Sequence, residues 1–443
     1  MLNNYGRLVS YSLPCKGITL RNFLRTVRGQ PRFYWESSRD DVAFAGAGMA
    51  LEIFAYADRF ASIQRQVQEL FDGAAILNET EPLAAPRLFG GFSFRDDFIP
   101  DDTWADFTPA HFVLPHYQLL QFHGQTWLTI NAHTDDDPKS LKDALHAALL
   151  AKIEQIKTAT LPFTTRQQIA EGVDYPLSFF AWQNSLNTAI HRMKAGELKK
   201  VVLSRVAEIR FQYHADVDSA LDYLAETYPE TYRFLFEPRP YHAFYGATPE
   251  LLASVKGNQV KTMALAGSIK RGLTMREDEA LAAELLNSEK DRFEHQLVAD
   301  RVRERLTPLT EDLHVAETGI MQLSNIQHLY TPITGTLRDH QGVLPVVEAL
   351  HPTPALGGEP REIAMQIIRD SEPVPRGWYA APVGWIDRNM DGQFGVAIRS
   401  AVAQDKRVWA YAGAGIVAAS DPQQEWEETA LKFKPMLNAL GVK

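Results

Sequence analysis

The sequence predicts an α+β chain built on antiparallel sheets rather than a doubly wound parallel one. Short β-type runs crowd residues 32–133, where FYWES, VAFAGAG, GGFSF and WLTINAHT are interrupted by a single helical interval near Ala61–Leu70. Farther along, strands and helices intermix without the regular strand–helix beat of a βαβ fold. With 443 residues, 45% of them hydrophobic, the chain is long enough to bury a large core as one big domain or two ordinary ones.

The remaining elements follow from local pattern. Leu141–Ile156 has helical periodicity, and TATLPFTTRQQIAEGVDYP after it is a weakly periodic, Pro-bounded connector. That connector is the best internal boundary, dividing a region 1–160 from a region 175–443 while allowing one intertwined unit. Trp182, Leu186, Ile190 and Met193 then recur at helical spacing, and Gly196 closes the helix. The strand LKKVVLSR follows. Side chains alternate along a strand, so Lys199 and Lys200 cannot both face solvent at its mouth.

Composition excludes several classes of function. A formal charge of −10 argues against nucleic acid and anionic membranes as partners. One cysteine, Cys15, rules out an internal disulfide and Cys-based metal clusters, as expected of a protein of the reducing cytosol. No apolar stretch approaches a membrane span, and MLNNYGR lacks a signal-peptide core. A soluble, cytoplasmic chain is expected, with a monomer as the default oligomeric state.

Candidate chemistry gathers after Leu198. SEKDRFEHQLVADRVRERL reads as a helix capped by Ser288, with Phe293, Leu297, Val298, Val302 and Leu306 as its apolar stripe and Glu294 near the middle. A carboxylate there needs a cation or donor; a buried arginine pair is the plain explanation and a metal the sharper one. In SDPQQEWEETALKFKPML, Asp421 caps a helix that begins at Pro422, and Glu425, Glu428 and Lys432 share a face at i, i+3 and i+7. A surface Glu428–Lys432 pair worth about 0.2–0.5 kcal/mol would account for them alone. The strand before it, VWAYAGAGIVAAS, offers Gly413 and Gly415, whose backbone N–H groups can approach an anion closely. FGVAIRSAV reads as a strand with Arg399 amid apolar residues, implying a carboxylate partner or substrate. Glu250 follows Pro249 at a turn, and His351 opens the loop HPTPALGGEPREI; either alone is ordinary turn chemistry.

Taken together, KKVVLSR, ATPELL, ALAGSIKRG, SEKDRFEHQLV, IQHLYTPITG, HPTPALGGEPR, FGVAIRSA and YAGAGIVAASDPQQEWEET occur in the order and spacing of the chorismate-utilising enzymes, and the chain resembles that family over about Trp182–Lys432. The resemblance implies two large antiparallel sheets packed face to face with helices outside, and magnesium-dependent chemistry on chorismate. Ammonia-using members carry Gln where Lys200 stands; a lysine there implies water as nucleophile. The family's glutamine amidotransferase segment and Leu-Leu-Glu-Ser tryptophan signature are also missing from this chain, so no glutaminase partner is expected.

The resemblance implies further that Lys200 is the inward-facing lysine and the general base, because an amine sheltered beside other cations surrenders its proton more readily than an exposed one. Glu250 is implied as the general acid at the C4 hydroxyl, and Glu294 and Glu428, with Glu425 as a further candidate, as the magnesium ligands. Arg399, Lys432, His351, Gly413, Gly415, Ala266 and Gly267 are implied to receive the substrate. Met263 and Ser268 depart from residues common among isochorismate synthases, which bears on substrate positioning. ALAGS and PALGGEPR are similar to isochorismate synthases, and RFYWESSRDDVAFAGAG to their menaquinone-pathway branch. The implied alternatives are salicylate synthase, a siderophore-pathway isochorismate synthase and, more remotely, the synthase subunits for anthranilate or aminodeoxychorismate.

Overall fold

A computed structural model describes residues 6–159 and 169–442. Two mostly antiparallel sheets, of 13 and 10 strands, pack face to face. Their shared interior is aromatic: Phe33 stacks on Phe89 across the sheets with ring centroids 6.3 Å apart, and the Trp35 indole donates to Gln393 Oε1 at 2.9 Å. Helices Leu20–Thr26, Lys142–Thr158, Val217–Thr227 and Pro422–Ala439 bury a second apolar layer on the outer face of the larger sheet. Arg59–Phe71, Glu289–Leu306 and Val343–Leu350 join the interior cluster through the smaller sheet.

Both halves of the sequence contribute to both sheets. In the larger, strand Arg32–Ser37 pairs with Tyr232–Arg239; in the smaller, Arg87–Phe92 pairs with Pro382–Asp387. The connector predicted around residues 158–176 lies partly outside the described residues; its end, Ala170–Asp174, is an edge strand of the larger sheet paired with Lys200–Phe211. Weak periodicity there reflects an exposed edge with little to bury.

Of the segments that carry the chain between the sheets, two position the chemistry. Strand His242–Thr248 belongs to the larger sheet and Leu251–Lys256 to the smaller, so Pro249 and Glu250 form a crossing. Gly392–Val396 belongs to the smaller sheet and Ser400–Gln404 to the larger, so Ala397–Arg399 form a second. The crossings are laced together: Val396 N–H donates to Glu250 O at 3.0 Å, and Ala247 N–H donates to Arg399 O at 3.1 Å. FGVAIRSAV is therefore not one strand. Alternating apolar residues on both sides of the break hide it, and Arg399 itself takes a left-handed φ of +51°, a conformation that costs about 1–3 kcal/mol and persists only where its surroundings fix it.

Two further expectations need correction. Phe293 is 53% exposed, and the buried stripe of its helix is Glu294, His295, Val298, Ala299, Val302 and Leu306. The buried face thus includes the polar pair and excludes the phenylalanine. His351 is no part of a substrate cavity: its Nε2 is 3.1 Å from Phe94 O and its ring packs edge-on to Phe94, so it is a satisfied core residue at the end of Val343–Leu350. Burial holds it well below the usual histidine range, hence neutral.

Candidate active site

Lys200 opens the Lys200–Phe211 strand, and pleating decides its direction. Lys199 is exposed, whereas the Lys200 side chain is 0% exposed, on the same face as Val202, which lines a small cavity of about 70 Å³. Glu250, Ala266, Gly267, Glu294, His328, Tyr379, Arg399, Gly413, Gly415, Glu428 and Lys432 line it too. Ten of the residues that the motifs single out thus converge within or directly behind one cavity. His351 does not join them, and Glu425 stands just outside, buried behind Glu428.

Lys200 is behind the wall rather than in it. Its Nζ sits 2.8 Å from Glu294 Oε1, and that contact is an ion pair without a well-directed hydrogen bond. Gly415 makes room for the pair: a Cβ there would fall 2.3 Å from Glu294 Oε1 and 3.0 Å from Lys200 Cε. On the Pro422–Ala439 helix, whose Asp421 cap accepts from Gln423 and Gln424, Glu428 pairs with Lys432 at 2.5 Å and Glu425 with Lys290 at 2.7 Å. Each candidate metal carboxylate is matched to one lysine.

The glycine strand leaves backbone groups outside its ladder with the Lys200–Phe211 strand. Val202 N–H donates to Gly357 O and Ser204 N–H to Glu372, away from the Arg407–Ile416 strand opposite. Gly415 and Gly413 face those two residues in register, so their own N–H groups point away from the ladder, and no described strand pairs with them on that side. Gly413 O on the same edge accepts from Lys432 Nζ at 3.0 Å. Ala266 and Gly267 occupy a bulge in the Gln259–Lys270 strand, where Gly267 has φ +77° and a Cβ would fall 3.1 Å from Asp291 Cβ.

Burial pushes the Glu250 carboxyl up to about 8, against the pull of Lys200, Lys432 and Arg399, so it carries a proton at neutral pH. Desolvation also raises Glu425, helped by the Glu428 charge and opposed by Lys290. Burial acts upward on Glu428 as well, but Lys432, Lys290 and Arg399 outweigh it and hold that carboxylate below its usual range. Asp291 is raised by burial, with Glu294 and Glu428 adding to it. Among the described residues no three carboxylate, imidazole or thiol groups converge as a closed metal cage. Magnesium needs none, because one or two carboxylates, waters and substrate oxygens complete its octahedron. Glu294 and Glu428, facing one cavity, fit that donor set.

The motifs left some residues unassigned. His328, from IQHLY, has Nδ1 3.0 Å from Ser268 Oγ while its Nε2 is buried without a partner; burial, with Arg399 and Lys432, keeps it neutral. In sequence it stands beside Gln327 in a strand with three threonines, so only its residue type could have flagged it. Tyr379 comes from a loop with no periodicity to flag it, and burial raises its hydroxyl to about 12. Met263 is buried in the apolar core, not in the cavity.

Two sheet crossings deliver an acid and an arginine beside a lysine–carboxylate array carried by a strand and two helices, the site of an enzyme, and the chain belongs to the family described as chorismate binding enzyme, which it matches over residues 2–441. Isochorismate synthase MenF of Bacillus subtilis is 32% identical, covering 99% of this chain and 94% of the relative. The salicylate biosynthesis isochorismate synthase of Pseudomonas aeruginosa is 35% identical over 94% of this chain and 86% of its own. Among solved structures, MenF, the menaquinone-specific isochorismate synthase of Escherichia coli, superposes with a TM-score of 0.82 at 24% identity, covering 98% of this chain and 95% of that one. Anthranilate synthase component I of Streptococcus pneumoniae superposes at 0.75 with 22% identity, over 90% and 93%. Those two likenesses establish the fold. No helix among the described residues is long and apolar enough to cross a membrane.

Proposed function

We propose that the chain is an isochorismate synthase, interconverting chorismate and isochorismate by adding water at C2 and expelling the C4 hydroxyl. One observation carries the reading: a fully buried lysine and a carboxyl that keeps its proton to about pH 8 serve one cavity. Lys200 takes a proton from the attacking water. Glu250 gives its proton to the departing C4 oxygen, which leaves as water. One water enters and one leaves, so the reaction is an isomerisation, and base and acid exchange protonation states for the reverse direction.

Hydroxide is a poor leaving group, and attack and departure occur at different ring carbons, so the two groups must stand apart across the substrate. Arg399 and the free N–H groups of Gly413 and Gly415 receive carboxylates of the dianion, with Lys432 close by. Glu294 and Glu428, with Glu425 adjacent, would hold magnesium, which would supply charge neutralisation at the ring carboxylate. Menaquinone formation is the favoured pathway, supported by the resemblance of RFYWESSRDDVAFAGAG to that branch.

Purified protein incubated with chorismate and magnesium, with and without ammonium, tests the reading by chromatography. Isochorismate alone is expected. Salicylate with pyruvate, anthranilate, or unchanged chorismate would each overturn it.

A further inference from the structure

The pairing of three lysines with three carboxylates has a consequence for how a divalent cation enters. Glu294 screens Lys200 from the cavity, so an enzyme in this state holds its base out of reach of substrate. Any cation that draws Glu294 aside also uncovers the base. Lys200 has nowhere to go, since its side chain is fully buried. Lys290 differs: its side chain is 29% exposed, while its partner Glu425 is 1% exposed. Sitting one turn before Glu294 on the same helix, it can withdraw its ammonium into water without leaving a buried charge unpaired, provided another cation replaces it.

With Glu250 protonated, the groups at the site balance. Lys200, Lys290, Lys432 and Arg399 stand against Asp291, Glu294, Glu425 and Glu428. A divalent ion arriving alone breaks that balance by two charges, and departure of Lys290 restores half of it.

We propose that metal entry at this site is a cation exchange, in which Lys290 is the displaceable counter-ion of Glu425 and release of Glu294 from Lys200 exposes the base. The inference rests on the metal assignment made above and adds a role for Lys290, a residue that touches neither substrate nor reacting atoms in that reading. Lys290 is then an antagonist of the metal. Removing it strengthens magnesium binding, although loss of a residue from an ordinary supporting network would weaken it.

Isothermal titration of the full-length wild type and Lys290→Met with magnesium chloride, without substrate, reads this directly. A dissociation constant at least threefold lower in the variant is expected, with Lys290→Arg equal to or weaker than wild type. Unchanged or weaker binding by Lys290→Met overturns the exchange. Should that variant fold poorly, reductive methylation of the wild type followed by peptide mapping gives a second measure. Lys290 labelling rises on saturation with magnesium while that of exposed Lys199 does not, and equal labelling of Lys290 with and without metal refutes the proposal. A wild type that converts chorismate yet fails these tests loses only the exchange. One that shows no magnesium binding and no magnesium-dependent turnover loses the metal assignment too.

Discussion

Two buried ion networks in this molecule have similar ingredients and opposite character. At one end of the larger sheet, Arg32 donates to Glu237 at 2.6 Å and to Asp218 at 2.7 Å, with a further bond to Leu24 O, while Tyr241 N–H donates to the other Glu237 oxygen. This network ties helix Leu20–Thr26, strand Arg32–Ser37, helix Val217–Thr227 and strand Tyr232–Arg239 together. Its charged groups are paired with directed bonds. Around the cavity, by contrast, Lys200 has an ion pair but no well-directed hydrogen bond, and His328 Nε2 has no partner. A completed network holds elements together, whereas an incomplete one is waiting for a ligand. Burial alone does not separate the two; satisfaction does.

Substitutions can break that contrast, beginning with the largest effect. Lys200→Ala should lower kcat by about 10³–10⁴-fold, the upper part of what a positioned proton-transfer group supplies, with an unchanged circular dichroism spectrum; conversion of chorismate within tenfold of wild type would remove it as the base. Asp218→Ala in the completed network should do the reverse. It removes one of the two carboxylates that hold Arg32, so urea unfolding should show a loss of about 1.5–3 kcal/mol while kcat per folded molecule stays within a few-fold.

The pH profile is the next test. Because Glu250 must hold a proton to act as the acid, and burial keeps that proton to about pH 8, kcat/KM should fall up to tenfold per unit above that pH. Glu250→Gln should lose about 10²-fold or more in kcat and that basic limb with it. A limb that persists unchanged in the variant's residual activity would assign the titration to another group. Glu428→Ala should then raise the magnesium concentration needed for half-maximal rate about tenfold or more, and an unshifted titration would return Glu428 to a plain partner of Lys432. The smallest effect is expected for His351→Leu, where the lost bond to Phe94 O should lower stability by about 1 kcal/mol and leave KM unmoved. A clear rise in KM would put His351 back at the substrate.

Much of this was legible in the residues. Capping serines and aspartates marked both site helices: Ser288 accepts from Asp291 N–H, and Asp421 accepts from Gln423 and Gln424. Alternation in KKVVLSR required one lysine to face inward, and the Gly413–Gly415 pair pointed to close backbone approach. Those features depend on neighbours within a few positions, so a linear text records them.

Other features depend on residues far apart in the chain. The Arg399 break joins two sheets, so it is visible only when the partners of Gly392–Val396 and Ser400–Gln404 are known. His351 and His328 are equally plausible as isolated histidines; one finds Phe94 O, 257 residues away, and the other keeps a bare nitrogen at the cavity. Phe293 sits on the wrong side of a helix whose inner face is chosen by the sheet beneath it. The sequence by itself determined the capped helices, the pleat that turns Lys200 inward and the charges available to the site, since each follows from local backbone geometry. Only the tertiary structure decided which lysine meets which carboxylate and which polar atoms stay unpaired, because Coulomb energy and desolvation depend on distance through space rather than along the chain.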